Sequence, residues 1–209
     1  MTVILTYHIN HINNKLVKDE ATPMRKKNET FRPLWIEPGA GAVKVIDQRK
    51  LPGAFEVMDI DTVDTAIYAI REMVVRGAPL IGVTGAYGVY LAAAAGGDRA
   101  KDDAWLSAEA ARLASARPTA VNLAWAVSRT LEAVLSEKSG KNRIQRAWRE
   151  AGAVAEEEAE NSRRIGRHGL SLIAAAAEKK SGQPVNILTH CNAGALACVE
   201  LGTATAPIY

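Results

Sequence analysis

The sequence predicts an α/β fold: an N-terminal domain of a small antiparallel sheet plus helices, then the first strand–helix unit of an open sheet. Three observations predict it. Short β-type runs broken by proline and glycine lie between residues 34 and 58. Helical periodicity with abundant alanine takes over from Asp61. An apolar run, Val185 to Leu188, then opens into the polar tip Thr189-His190-Cys191-Asn192, followed by small residues. A chain of 209 residues, 48% of them apolar, can bury a core of one or two domains.

Residues 1–29 are polar and without helical period, and read as a disordered extension. His8 and His11 have no acidic or cysteine partner following them, so no metal site is expected there. Residues 30–154 form the sheet-and-helix domain. Leu34-Trp35-Ile36 and Val43 to Asp47 are strands, separated by the turn signal Glu37-Pro38-Gly39-Ala40-Gly41. A third strand, Ala54 to Met58, follows Leu51-Pro52-Gly53. Val63, Ala66, Ile67, Ile70 and Val74 then recur at helical spacing, with Asp61 or Thr62 as N-cap. Helices are expected over about Ala78 to Ala95, Asp103 to Ala114 and Thr119 to Ser136. Ile144, Trp148, Ala151 and Ala155 mark another, with Glu156, Glu157 and Glu158 on its solvated face. Residues 155–209 comprise the linking helix, with Gly166 and Gly169 as expected breaks, and the start of a second domain after Gly182-Gln183-Pro184.

Several function classes are disfavoured. The net charge is only +3, basic and acidic residues are mixed, and aromatics make up 5%, so no nucleic-acid partner is expected. Cys191 and Cys198 form no CxxC and no disulfide framework, which suits a reducing cytoplasm. Cys198 reads as a small buried residue on a helix that follows the strand. Gly77 to Gly97 is uncharged and long enough to raise a membrane span, but Pro79 and the internal glycines favour a buried helix, so no membrane is expected. Met1 to Asn10 carries no basic segment or cleavage site of a signal peptide.

Three constellations carry candidate chemistry. In Arg76-Gly77-Ala78-Pro79, a guanidinium stands beside the start of a helix. It either caps the carbonyls of the preceding helix or clamps a phosphate together with the exposed amides. Gly82, Gly85 and Gly88 follow no strand and read as a close-packing helix face rather than a nucleotide loop. In Arg117-Pro118-Thr119-Ala120-Val121-Asn122-Leu123, a second arginine precedes a second helix start. In Thr189-His190-Cys191-Asn192-Ala193-Gly194, a thiol sits at a strand end, where open α/β sheets place ligands. His190 is an unexpected partner for it, because adjacent strand residues point to opposite faces. His168 reads as a surface residue, and no carboxylate forms an evident acid/base pair with Cys191.

Taken together with Gly202-Thr203-Ala204, these motifs resemble the 5-methylthioribose-1-phosphate isomerase family of methionine salvage, part of methionine biosynthesis. The resemblance runs from about Phe31 to Tyr209. Related families are the ribose-1,5-bisphosphate isomerases and the regulatory subunits of the translation-initiation guanine-nucleotide exchange factor. The resemblance implies a Rossmann-like second domain and an aldose–ketose isomerisation by an enolate or hydride route, without metal or nucleotide cofactor. It implies that Cys191 is catalytic, that Arg76, Gly77, Ala78 and Arg117 bind a sugar phosphate, and that the full-length protein is a homodimer. It also implies a proton-donating aspartate that no residue here matches. The chain is therefore expected to be a truncated N-terminal portion, inactive alone, whose unpaired apolar edges invite aggregation or a partner fragment.

Overall fold

The computed structural model describes residues 2–7, 32–36 and 41–209. Its first body is a three-stranded antiparallel sheet, β2 (Leu34–Ile36), β3 (Val43–Ile46) and β4 (Val57–Ile60), in the order β2-β3-β4. Val43 and Val45 face Ile60 and Met58 in the register and are buried, so one side of the sheet joins the helical core. The third strand lies a little later than its sequence pattern suggests. Ala54 to Glu56 are exposed and stay irregular, whereas Val57–Ile60 gains a full ladder against β3. Most of the turn expected at Glu37 to Gly41, and residues 8–29 of the expected extension, lie outside the described residues.

Helix α1 (Val63–Arg71) starts where Thr62 and Thr65 bond each other's backbone reciprocally, which satisfies two orphan amides. It ends earlier than its apolar pattern. Met73 adopts a left-handed φ of 57°, and Val74 and Val75 continue into the core as irregular chain. Helix α2 (Ala78–Ala95) is apolar on all sides because it is the hub of the fold. It packs against α3 (Asp103–Ala114), α4 (Val121–Leu135) and α5 (Gly140–Lys179). It is long and apolar enough to cross a membrane, yet 72% of that stretch is buried inside the protein. The expected reading of a core helix is the one the packing supports.

The three glycines of α2 make this packing close. A Cβ on Gly82 would stand 2.9 Å from the Asn122 carbonyl oxygen, and one on Gly85 would overlap Leu123 and Val127 of α4. One on Gly88 would meet Leu113 of α3, at 2.7 Å. Small residues here exchange side-chain volume for backbone proximity.

Two expectations change in the last third. Gly166 and Gly169 do not break α5, which is one helix of 40 residues. They are the positions where the chain end crosses it: a Cβ on Gly166 would lie 3.1 Å from the Ala206 carbonyl, and one on Gly169 would overlap Pro207. Strand β5 (Val185–His190) forms as expected, but no α-helix follows it. The chain instead makes short 3-10 turns at Ala195–Ala197 and Ala206–Ile208. Ala197, Cys198, Val199 and Glu200 are buried along this irregular path, so tertiary contacts rather than a helical ladder hold the chain. Thr2–Tyr7, read from the sequence as part of a disordered extension, forms β1 and pairs antiparallel with β5. An apolar edge such as β5 offers a ladder that a β-prone segment can fill.

Candidate functional site

The site begins with the way α2 and α4 start. Gly77 is the N-cap of α2, at φ 110°, a conformation open to glycine, and Pro79 sits in the first turn. No side chain caps the first amides of α2, and none caps those of α4 behind Ala120. The contact of Gly82 with Asn122 sets the first turns of the two helices side by side. Two bare amide ends with their positive dipoles thus lie at one edge of the core.

Each end carries an arginine. Arg76 is exposed and Arg117 half-buried, and neither guanidinium hydrogen-bonds or ion-pairs among the described residues. Of the two sequence readings of Arg76, helix capping is the one the geometry disfavours. The preceding helix stops at Arg71, and the buried pair Val74 and Val75 intervenes.

The loop after β5 closes onto the same place. Cys191 is exposed, at a left-handed φ of 70°, which costs a non-glycine residue about 1 kcal/mol and turns the chain sharply off the strand. Asn192 Nδ2 donates to the Arg76 carbonyl at 3.2 Å. Gly77 lies so close to Ala197 that a Cβ there would overlap its backbone. Thr205 Oγ1 donates to the Ala193 carbonyl at 2.7 Å, and Gly202 packs tightly against both groups. The structure therefore brings Arg76-Gly77-Ala78 into direct contact with the Cys191 loop. Arg117 lies in the turn that leads into α4, where its carbonyl accepts from the Ala120 N–H, and among the described residues its side chain hydrogen-bonds to neither. Among the described residues no carboxylate hydrogen-bonds to Cys191, nor does exposed His190.

Cys198 is fully buried, as expected, although in the irregular segment rather than on a helix. Burial pushes its thiol up from the ordinary range, and the nearby Glu158 carboxyl adds to this. Exposed His168 is a surface residue of α5, again as expected.

Sequence reasoning missed three groups. Glu158 does not lie on the solvated face with its neighbours: it is half-buried and accepts from Asn122 Nδ2 at 3.4 Å. Burial, and then the neighbouring Glu157, hold its carboxyl above the usual carboxylate range. The clue was available, since Glu158 falls one turn from buried Val154 and Ser162 on the helical repeat. Glu200, with its side chain 3% exposed, lies between the guanidiniums of Arg32 and Arg163. Arg32 also spans to Glu156, whose carboxyl it holds below the usual range. Buried Gln48, just past β3, donates from Nε2 to the Leu196 carbonyl at 2.6 Å. No local signal marks the last two, because their partners are far along the chain.

Comparison with known proteins bears on this arrangement. The chain is 53% identical over 178 residues to a methylthioribose-1-phosphate isomerase of Desulfosudis oleivorans, covering 85% of this chain and 48% of that protein. A methylthioribose-1-phosphate isomerase of Methylobacterium nodulans is 52% identical over 186 residues, covering 89% of this chain and 49% of that one. The chain spans about half the length of the curated relatives it matches. Among solved structures, 5-methylthioribose 1-phosphate isomerase from Pyrococcus horikoshii OT3 superposes with a TM-score of 0.67 at 31% identity, over 84% of this chain and 47% of that one. Translation initiation factor eIF-2B, subunit delta, from A. fulgidus also superposes with a TM-score of 0.67, at 34% identity, over 86% of this chain and 50% of that one. Both share the small antiparallel sheet and its helices as part of a larger fold. The model of the Initiation factor 2 subunit family matches residues 74–207, from just before Arg76 to the end of the loop system around Cys191, and the chain belongs to that family.

Proposed function

We propose that this chain is the sugar-phosphate-anchoring part of an isomerase that converts 5-methylthioribose-1-phosphate to 5-methylthioribulose-1-phosphate in methionine salvage. One observation carries the reading: the uncapped start of α2, with Arg76, meets the loop that presents Cys191, and the uncapped start of α4, preceded by Arg117, lies beside that of α2. The arginines and the amides of Gly77 and Ala78 are suited to an ester phosphate, which offers several acceptor oxygens to donors of this kind. Cys191 stands at the strand tip beside them, where it can hold or stabilise charge at the reacting carbons. Residues 1–29 serve as an extension, 30–154 as the anchoring domain, and 155–209 as the entry to the catalytic domain. The reaction takes place in the cytoplasm, in a homodimer of the longer protein, without metal or nucleotide cofactor.

Moving hydrogen between C2 and C1 needs a second proton-handling group beside the thiol. None hydrogen-bonds to Cys191 among the described residues, so the chain alone binds the sugar phosphate and does not turn it over. Calorimetric titration and a coupled isomerase assay of purified 1–209 test this. Binding without turnover is expected, with Arg76→Ala and Arg117→Ala each weakening binding about tenfold or more, in line with ~1.5–3 kcal/mol for hydrogen bonds to charged groups. Cys191→Ser should leave affinity within about twofold. Sustained turnover by 1–209 would show that no further acid is required. A version of relative length that ignored this substrate but isomerised ribose-1,5-bisphosphate would assign a different sugar. The likeness to a translation initiation factor subunit favours one other reading, a non-catalytic sensor of the same ligand class. A longer version that binds the sugar phosphate but leaves it unchanged would establish that alternative.

A further inference from the structure

We infer that Gln48 is a positioning residue of the site, the tie by which the small sheet fixes the Cys191 loop against the start of α2. The inference rests on the reading of that site as a sugar-phosphate site. Gln48 is buried, 6% exposed, and lies one residue past buried Asp47 at the end of β3. It joins three pieces of chain. Its backbone N–H donates to the Val74 carbonyl at 3.0 Å, two residues before Arg76. Its side-chain amide donates to the Leu196 carbonyl at 2.6 Å, one residue before Ala197, the residue against which Gly77 is packed. Its own segment is held by the Asp47 N–H bond to the Glu56 carbonyl and by the Asp47–Arg49 ion pair.

The Arg76 segment and the Cys191 loop therefore share one anchor in the sheet, separate from their direct contacts. The other ties of the loop do not reach the Arg76 segment and the sheet together: Asn192 bonds to Arg76, Ala197 to Gly194, Cys198 to Ala195 and Ala193 to Thr205, while Glu200 pairs with Arg163 of α5 and with Arg32 ahead of β2. The bond from a buried amide is hard to replace with water. A placement error of about 1 Å in such a loop is large on the scale of productive site geometry.

The test uses the whole chain and the variants Gln48→Met, which keeps the side chain's length without a donor, and Gln48→Glu, which presents an acceptor to the Leu196 carbonyl. Amide hydrogen exchange is measured across the molecule. Expected in both variants is exchange at least fivefold faster at Ala193 to Ala197, with the amides of α2 and α4 unchanged. The second readout is alkylation of exposed Cys191, with buried Cys198 as an internal monitor of opening. Protection of Cys191 by inorganic phosphate should weaken at least threefold in the variants while Cys198 stays unreactive. Unchanged loop exchange, or loop exchange that rises only in step with α2 and α4 and with Cys198 alkylation, overturns the positioning role and makes Gln48 a general stability residue. If phosphate gives wild-type Cys191 no protection, the sugar-phosphate reading fails, and loop exchange still decides the role of Gln48.

Discussion

Glu158 shows how one side chain departs from the run that contains it. Its neighbours Glu156 and Glu157 pair with Arg32 and Arg129 at the surface, whereas Glu158 turns towards Asn122 and Cys198. Burial raises its carboxyl above the value it has in the unfolded chain, so the folded state holds the proton more tightly. The associated stability is present below the unfolded carboxylate range and is lost as pH rises through the folded value. Glu158→Gln mimics the neutral acid and keeps the oxygen that accepts from Asn122. It is expected to raise the melting temperature at pH 7, by a few degrees at most for a single half-buried group. That advantage should vanish near pH 4. Differential scanning calorimetry at the two pH values checks this, and a gain of equal size at both would mean that the charge is not what matters. The same residue limits what composition can say, because three consecutive glutamates look alike until the helix is placed.

At the scale of elements, the helices were the legible part. The starts and ends of α2 and α3 agree with the sequence pattern, since proline, aspartate and alternating apolar stripes act locally. The ends of α1 and α5 were not legible. Helix α1 stops because Val74 and Val75 find a better place in the core than on a helix, and α5 continues through two glycines because the chain end packs over them. This gives opposite expectations for one substitution at two glycines of α5. Gly152 has only the Tyr87 hydroxyl nearby, at 4.0 Å, so Gly152→Ala should stabilise by ~0.5–1 kcal/mol through helix propensity. At Gly169 a Cβ would overlap the Pro207 ring, so Gly169→Ala should destabilise by about 1–3 kcal/mol through overpacking. Urea denaturation of the two variants reads the sign. If both proved stabilising, the chain end would not be seated on α5 in solution.

For the molecule as a whole, the unbalanced feature is the set of exposed leucines on α5 and β5. Leu170 and Leu172 on α5 and Leu188 on β5 are more than half exposed, while the opposite part of α5 is buried against α2 and α4. Exposed leucines of this size add apolar surface through which copies can associate. Leu172→Lys with Leu188→Thr should lower the self-association of purified 1–209 several-fold by light scattering, with the melting temperature changed by less than about 2 °C, because neither side chain belongs to the core. Unchanged association would place the sticky surface elsewhere. By itself the sequence determined the sheet-then-helices order, the buried α2, and the three motifs that make up the candidate site, because each is written in residues close together along the chain. Only the tertiary structure decided that the Arg76 segment touches the Cys191 loop, that Gln48 and Glu158 face inward, and that β5 is followed by turns instead of a helix. Those outcomes depend on which distant backbone offers a partner, and local propensity carries no record of it.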